Sequence, residues 1–284
     1  MTFDYHEPST IDEATALLHE HGEEAIVMAG GSALVVLIKL GLIRPAHVVG
    51  LRRLGELRGI RYDPGGLWIG ALSTHADVAA SPIVRNGHSA IAHTFSRVAT
   101  VRLRNQATVG GNIVHADPAQ DPPPTLIAFD AIAVIAGPNG SRREAPLDGL
   151  FTYYFTVALE PEELLVAVRV PPVEQGARAT YLKFLPRTAD DYATVGVAAV
   201  ARLDRDGRIA SARVVLGAVG PTPIRASGVE AALIGQAPTP RVLADAAALV
   251  RDEIDPIGDA RGTPDYKREM ARVWTERALT AVTN

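Results

Sequence analysis

Residues 29–34 read AGGSAL and residues 108–113 read TVGGNI, and these two glycine-rich segments are the most informative part of the chain. Each combines paired glycines with a small polar residue and apolar neighbours. Glycine permits a positive φ and lets backbone N–H groups come close to a ligand, and successive exposed N–H groups form a concave site for an anion. Two such loops in one domain predict a ligand with two phosphates and a long body, such as a dinucleotide.

The first segment lies where a phosphate site is expected. Residues 26–28 are typical of a short buried strand, and residues 34–40 could form a helix that ends before Pro45. A phosphate is favoured at the start of such a helix, because free N–H groups and the helix dipole point toward it. A single Gly-Gly pair is more often an ordinary loop, and neither segment has the GxGxxG or P-loop pattern. A nucleotide site here must therefore belong to a different architecture.

The composition is that of a globular protein with a substantial core. The chain has 284 residues, of which 47% are hydrophobic and 21% charged, and this length is enough for two domains. Its net charge of −4 argues against a nucleic-acid-binding protein, which normally has a basic face. Cysteine is absent, which excludes a thiolate zinc site and a cysteine-bound iron–sulfur cluster in this chain. The eight histidines show no metal-ligand spacing, and no metal site is predicted.

The predicted location is the cytoplasm. Residues 1–8 are acidic and polar, unlike a signal peptide, and no uncharged apolar run is long enough to span a bilayer. The chain could lie at the inner membrane only through a complex that it joins.

Two consecutive prolines, Pro171 and Pro172, mark the predicted domain boundary between residues 1–172 and 173–284. The second part reads as strands followed by helices, which is typical of an α+β domain. Its predicted strands span residues 181–185, 195–203 and 208–216, and its predicted helices begin after Thr239 and Thr263, each of which is followed by proline.

Four further side chains are candidates for a ligand site, each with an ordinary structural alternative. His115 and Asp121 lie in a polar stretch, residues 112–121, that is either a surface loop or a second wall of a cofactor site in which Asp121 accepts a hydrogen bond from ribitol or a ring. Lys183 in an alternating strand usually reaches water, and Tyr192 more often packs than stacks on a ligand. If the C-terminal domain covers a flavin, Lys183 could lie near the ring, where a positive group favours the reduced anionic form, and Tyr192 could shield one face.

Several motifs of the chain resemble those of the FAD-binding medium subunits of molybdenum hydroxylases. This family includes aerobic carbon monoxide dehydrogenase and the bacterial relatives of xanthine dehydrogenase. Residues 29–34 resemble its AGGxSL loop, and residues 103–113 resemble its IRNxGTIGGN loop. The similarity runs from about Phe3 to the C-terminus and extends to the family's KFxxR and DFAxVG stretch at Lys183, Phe184, Arg187 and residues 191–196, and to residues 220–225 and 265–273.

The chain departs from the family pattern at two positions. Ala33 stands where the family has a loop serine, and Ala107 stands where it has a glycine before the second motif. Ala33 removes one hydroxyl contact to phosphate but keeps the backbone N–H, so FAD binding is expected to survive with altered contacts. Ala107 implies a position that does not need a strongly positive φ.

The resemblance implies an α+β fold of a particular kind. It is a two-lobed FAD-binding module of the vanillyl-alcohol-oxidase (PCMH) type, with lobes at about residues 1–55 and 56–172. A C-terminal domain with a three-stranded antiparallel sheet and helices follows it.

The resemblance also implies a function and partners. The chain would be an FAD-binding electron-transfer subunit of an oxidoreductase, most similar to aerobic carbon monoxide dehydrogenase. Substrate would be oxidised at a molybdopterin cofactor on a large subunit. Electrons would pass through two [2Fe–2S] clusters on a small subunit to FAD on this chain and then to an external acceptor. The expected assembly is a dimer of heterotrimers.

By the same resemblance, the FAD pyrophosphate would meet the backbone of residues 29–34 and 110–112, Lys183 would lie near the isoalloxazine, and Tyr192 would be a neighbour of the ring. No residue of this chain is expected to break a substrate bond. The expected FAD contacts are Met28, Ala29, Gly30, Gly31, Ser32, Ala33, Leu34, Thr108, Gly110, Gly111, Asn112, Val114, His115, Asp121, Lys183 and Tyr192.

Three alternatives remain open at the level of sequence. The first is the FAD subunit of a xanthine, aldehyde or N-heterocycle dehydrogenase, since substrate is selected on the large subunit. The second is a stand-alone flavin oxidoreductase of the same fold, for which the sequence marks no catalytic base. The third is a non-catalytic nucleotide-binding or scaffold protein. Quinone, NAD and dioxygen all fit as the acceptor.

Overall fold

The computed structural model describes residues 2–186 and 192–284. Within them the chain forms an N-terminal lobe, a second lobe and a C-terminal domain, each of which combines helices with a sheet. The predicted α+β class is confirmed. Among the helices that the structure describes, none is both long enough and apolar enough to cross a lipid bilayer.

The N-terminal lobe is a small parallel sheet with strand order β1-β3-β2 and two helices. The predicted strand at 26–28 and the predicted helix at 34–40 are present as β2 and α2, so the first glycine segment joins the end of β2 to the start of α2. The elements of the lobe are β1 (Asp4–His6), α1 (Ile11–His21), β2 (Ala25–Met28), α2 (Leu34–Lys39) and β3 (His47–Gly50).

The second lobe is built on a five-stranded antiparallel sheet with strand order β4-β5-β10-β6-β7. A two-stranded ribbon, β8-β9, and six helices complete it. Its strands are β4 (Ile60–Asp63), β5 (Gly66–Gly70), β6 (Ile132–Ala136), β7 (Arg142–Pro146), β8 (Phe151–Tyr153), β9 (Thr156–Val157) and β10 (Leu164–Val170), and its helices are α3 (His75–Ala80), α4 (Pro82–Gly87), α5 (Ser89–Ser96), α6 (Val101–Arg104), α7 (Val109–His115) and α8 (Pro122–Ala128).

The five-stranded sheet is buried on both faces. Val134 and Val166 pack into the core shared with α1 of the N-terminal lobe, whereas Ile135 and Val168 pack into the core beneath the helices of the second lobe. Successive residues of one strand point to opposite faces, and a register shift between Leu165 and Ala167 puts Val166 and Val168 on opposite faces as well. The sheet therefore contributes side chains to the cores of both lobes and connects them.

The C-terminal domain packs a sheet between helices. Ala198 and Val215 face the core of the second lobe, while Val197 and Val214 face the core formed with α12. Three long antiparallel strands are present as predicted, and the structure adds a fourth, two-residue strand, β14, which the sequence pattern was too short to reveal. The elements are β11 (Arg178–Phe184), β12 (Val195–Leu203), β13 (Ile209–Gly217), β14 (Ile224–Arg225), α9 (Ser227–Leu233), α10 (Pro240–Ala248), α11 (Val250–Glu253) and α12 (Pro264–Thr283).

Candidate functional site

The two glycine segments, which belong to different lobes, lie in direct contact. The side-chain amide of Gln106 donates a hydrogen bond of 2.9 Å to the carbonyl of Gly30. A Cβ placed on Gly30 would lie 2.1 Å from the carbonyl oxygen of Gln106, and one placed on Gly111 would lie 3.6 Å from the Cβ of Ala29. The structure therefore brings together the two segments that the sequence separates by more than seventy residues.

The glycines of these segments serve close packing more than unusual backbone angles. Gly31 has a φ of 69°, but Gly30, Gly110 and Gly111 do not have positive φ values. The prediction of two loops bent through positive φ was wrong for these three. Gly30 is required by the approach of Gln106, and Gly110 by Ala71, whose Cβ would lie 2.7 Å from a Cβ at position 110. A side chain at position 30 would push the two lobes apart, whereas one at position 110 would push α7 away from the end of β5 within the second lobe.

The second glycine segment is the first turn of helix α7 and is not a loop. Thr108 is its N-cap and accepts a hydrogen bond of 3.2 Å from the N–H of Gly111. The N–H of Gly110 donates to the carbonyl of Ala71, and the N–H of Asn112 donates to the carbonyl of Thr108. A Thr side chain explains the helix start, because it satisfies an N–H that the helix leaves without a partner. The expected contact of pyrophosphate with residues 110–112 stays a prediction, since these N–H groups already have acceptors within the protein.

The first glycine segment offers free backbone donors. The carbonyls of Gly31 and Ala33 accept hydrogen bonds from Val35 and Leu37, which starts the helical turn of α2. The N–H groups of Gly31, Ser32 and Ala33 have no hydrogen-bond acceptor among the residues that the structure describes. Free N–H groups at the start of a helix are an arrangement that binds phosphate.

Two buried side-chain oxygens, one in the second segment and one further along the chain, lack partners among the described residues. They are Oδ1 of Asn112 and Oε1 of Gln120. A buried acceptor without a donor is costly unless a ligand or water supplies one. Asn112 is among the predicted contacts, whereas Gln120 was missed, because only the tertiary structure shows that its oxygen is buried and unpaired.

Asp121 and Lys183 form a buried ion pair that joins the second lobe to the C-terminal sheet. The Lys183 Nζ lies 2.8 Å from Asp121 Oδ2, and the Tyr181 hydroxyl donates a hydrogen bond of 2.6 Å to Asp121 Oδ1. Burial raises the pKa of Asp121, and the positive charge of Lys183 opposes that shift. Burial, together with the Asp121 carboxylate, raises the pKa of Tyr181. Lys183 is therefore not a solvated lysine, which was the structural alternative. Tyr181 belongs to the same network and was not predicted from the sequence.

His115 and Tyr192 lie beside charged and aromatic neighbours. The rings of His115 and Phe155 have centroids 5.4 Å apart, and burial lowers the pKa of His115. Burial raises the pKa of Tyr192 to about 12, and the neighbouring Asp117 adds to the shift. The guanidinium of Arg261 lies 5.6 Å from the centre of the Tyr192 ring.

The remaining predicted contacts fall in three places. Met28 ends β2, Leu34 begins α2, and Val114 lies in α7 with its side chain partly exposed. Arg187 and Asp191 of the predicted motif lie outside the described residues.

Comparison with known proteins gives consistent matches over the whole chain. Residues 1–173 match the FAD binding domain in molybdopterin dehydrogenase, and residues 180–282 match the CO dehydrogenase flavoprotein C-terminal domain. The carbon monoxide dehydrogenase medium chain of Hydrogenophaga pseudoflava is 38% identical, over 98% of this chain and 96% of that protein.

Two further similarities extend this result. The 6-hydroxypseudooxynicotine dehydrogenase complex subunit alpha of Paenarthrobacter nicotinovorans is 32% identical, over 98% of this chain and 93% of that protein. A crystal structure of carbon monoxide dehydrogenase from Hydrogenophaga pseudoflava, in a form that lacks the Mo-pyranopterin moiety of its molybdenum cofactor, superposes with a TM-score of 0.95 at 39% identity and covers 99% of this chain and 97% of that one.

Proposed function

Because this chain belongs to the family of FAD-binding subunits of molybdopterin dehydrogenases, we propose that it is the electron-transfer flavoprotein subunit of a molybdenum hydroxylase of the carbon monoxide dehydrogenase type. The observation that carries the proposal is the contact between the first glycine segment and the residues just before the second, at Gly30 and Gln106. This contact creates one site from two parts of the chain.

The residues at this contact fit a flavin nucleotide. The free N–H groups of Gly31, Ser32 and Ala33 would hold the pyrophosphate, since they are unused donors at the start of α2. The unpaired oxygens of Asn112 and Gln120 would accept hydrogen bonds from hydroxyl or N–H groups of the ligand. Gly30 would keep the lobes close enough for both walls to reach it, and Gly110 would keep α7 close to Ala71 within the second lobe.

FAD, when bound, supplies the redox chemistry: it takes electrons from iron–sulfur clusters on a partner and gives them to an external acceptor. This chain contains no cysteine, so cysteine-bound clusters must belong to another subunit. The Asp121–Lys183 pair fixes a buried ammonium group between the second lobe and the C-terminal sheet. We assign to these side chains a positioning role for the cofactor and no bond-breaking step.

An exposed apolar surface is evidence that this chain contacts a partner subunit. Val36 on α2 and Leu40, the C-cap residue of that helix, are 52% and 68% exposed and lie one helical turn apart, and Leu42 is 67% exposed just beyond them. Exposed apolar patches of this kind mark interaction sites. We propose that this surface contacts a subunit of the complex, within a dimer of heterotrimers that contains a small [2Fe–2S] subunit and a large molybdopterin subunit.

Substrate selection belongs to the large subunit in this proposal. Relatives that align with 98% of this chain are subunits named for carbon monoxide dehydrogenase and for the 6-hydroxypseudooxynicotine dehydrogenase complex. The redox role is therefore common to relatives whose complexes act on chemically different substrates.

The proposal is tested by measuring the FAD content and the partners of the full chain. The purified chain should be yellow and release one FAD per chain on denaturation. Gly111→Val should abolish FAD uptake, because the new side chain enters the space between Thr108 and Ala29. Gly55→Val is the matched control, since no atom lies within 4 Å of a Cβ at that position. A colourless wild-type chain that cannot be reconstituted with FAD contradicts the proposal, as does full dehydrogenase activity of the isolated chain.

A further inference from the structure

Three histidines from three different elements of the N-terminal lobe meet at one point. His6 ends β1, His21 ends α1, and His47 begins β3. The His6 Nε2 and His47 Nδ1 atoms lie 3.1 Å apart, and the rings of His21 and His47 stack with centroids 3.8 Å apart. One ring nitrogen of each histidine lies within 4.8 Å of the other two.

The fold places these side chains together for a simple reason. In the parallel pairing of β1 with β3, Asp4 lies opposite His47, and His6 lies two residues further along β1 on the same face. Helix α1 ends over that face at His21. The sequence showed no metal-ligand spacing because the three histidines come from separate elements.

We propose that His6, His21 and His47 form a binding site for a divalent transition-metal ion of the class that prefers imidazole, such as Zn²⁺, Co²⁺ or Ni²⁺. Tetrahedral Zn²⁺ holds its nitrogen ligands at about 2.0–2.1 Å, which places neighbouring ligand atoms roughly 3.3 Å apart. The His6–His47 pair already has this spacing. His21 reaches the same point by rotation of its ring, since its nitrogen starts within 4.8 Å.

The surroundings favour a cation. Asp4 Oδ2 lies 4.0 Å from His47 Nδ1, within reach of a fourth ligand position. His21 is at the C-terminal end of the eleven-residue helix α1, where the partial negative charge of the helix dipole attracts cations. The three rings are partly buried, so an ion can enter from solvent without unfolding the lobe.

The site is separate from the glycine segments. His47 begins β3, whereas Met28, which precedes the first glycine segment, pairs with Gly50 at the other end of the same strand. A bound ion would tie β1, α1 and β3 together and would stabilise the lobe by binding the folded chain alone. The inference does not depend on FAD binding.

The test uses the full chain without an affinity tag, freed of metal by a chelator. Titration with Co²⁺ should give the intense visible bands of a tetrahedral site at one ion per chain, and Zn²⁺ should displace it and raise the thermal unfolding midpoint. His21→Ala and, separately, His6→Gln should weaken Zn²⁺ binding by at least about tenfold, because each removes one of three ligands. His19→Ala is the matched control, since His19 is an exposed histidine on the same helix.

Each outcome decides the proposal. Loss of binding in the His21 and His6 variants, with the His19 variant and all metal-free unfolding midpoints unchanged, supports it. If one variant unfolds without metal, the proposal is judged from the other variant and from the cobalt spectrum of the wild type. No saturable binding to the wild-type chain overturns it, as does an equal loss in the His19 variant.

Discussion

Lys183 of the C-terminal sheet and Asp121 of the second lobe form an ion pair that is almost fully removed from water. Their side chains are 3% and 5% exposed, and 2.8 Å separates the Nζ from the Oδ2. The cost of burying both charges is offset only while both partners and the Tyr181 hydroxyl are present. The pair therefore couples the stability of two domains through residues that are 62 positions apart in the sequence.

Removing one partner of this pair is expected to destabilise the chain strongly. Asp121→Asn leaves the Lys183 ammonium buried without a counter-charge, which costs about 3–5 kcal/mol of unfolding free energy. Urea denaturation measures the loss. Asp245→Asn is the control, because the ion pair that Asp245 forms with Arg241 is exposed. Its loss should change the unfolding free energy by no more than about 0.5 kcal/mol. Adding Lys183→Met to Asp121→Asn should recover part of the loss, and equal, additive losses would show that the pair is not coupled.

Gly30→Ala is expected to separate the two glycine segments. The new methyl would lie 2.1 Å from the backbone oxygen of Gln106, so one lobe must move away from the other. FAD content should fall strongly while the far-ultraviolet circular dichroism stays close to that of the wild type. Gly55→Ala, which meets no atom within 4 Å, should keep its FAD. Full FAD content in the Gly30 variant would show that the close approach is unimportant for the site.

Thr108→Ala tests whether the Thr108 side chain contributes to FAD binding in addition to capping helix α7. Loss of the N-cap hydrogen bond to Gly111 should cost about 1 kcal/mol of stability. Thr239→Ala removes an equivalent N-cap bond to Val242 in the C-terminal domain and should cost a similar amount. FAD affinity should fall in the Thr108 variant alone, as measured by flavin fluorescence. A similar fall in both variants would assign the effect to stability.

The stability of the chain is expected to fall as the pH drops from about 6.5 toward about 4, because burial lowers the pKa of His75 to about 4, with the Arg104 charge adding to the shift. The unfolded chain binds the proton below its ordinary pKa near 6.5, whereas the folded chain resists it until about pH 4. The unfolded state therefore gains protons first, and the loss reaches about 3 kcal/mol at the bottom of this window.

His75→Phe removes this titration and tests the pH prediction. The phenyl ring keeps the aromatic contact with Phe95, whose ring centroid lies 5.2 Å from that of His75. Denaturation midpoints measured across the window should show a flatter dependence on pH in the variant, whatever its stability at neutral pH. An unchanged slope would assign the acid sensitivity to other groups.

The local signals of the chain predicted most of the elements that position the site. The apolar run at residues 26–28 and the Thr-Pro pairs at Thr239 and Thr263 act through neighbouring residues, so β2 lies close to its predicted bounds, and α10 and α12 begin where predicted. The motif-based resemblance to FAD-binding medium subunits is confirmed by matches to both domains. The second glycine segment was misread as a loop, because a helix that starts with Val-Gly-Gly runs against helix propensity and is held by the Thr108 cap and by Ala71.

Sequence was sufficient for the family, the α+β class and elements with strong local signals, such as β2 and the starts of α10 and α12, since these depend on short stretches of chain. Contacts between distant residues could be established only once the chain was folded. They include the meeting of Gly30 with Gln106, the burial of Asp121 against Lys183, and the three-histidine cluster of His6, His21 and His47. Each depends on which faces of separate strands and helices pack together, and that packing is set by the burial of apolar surface across the whole molecule, which no single segment specifies.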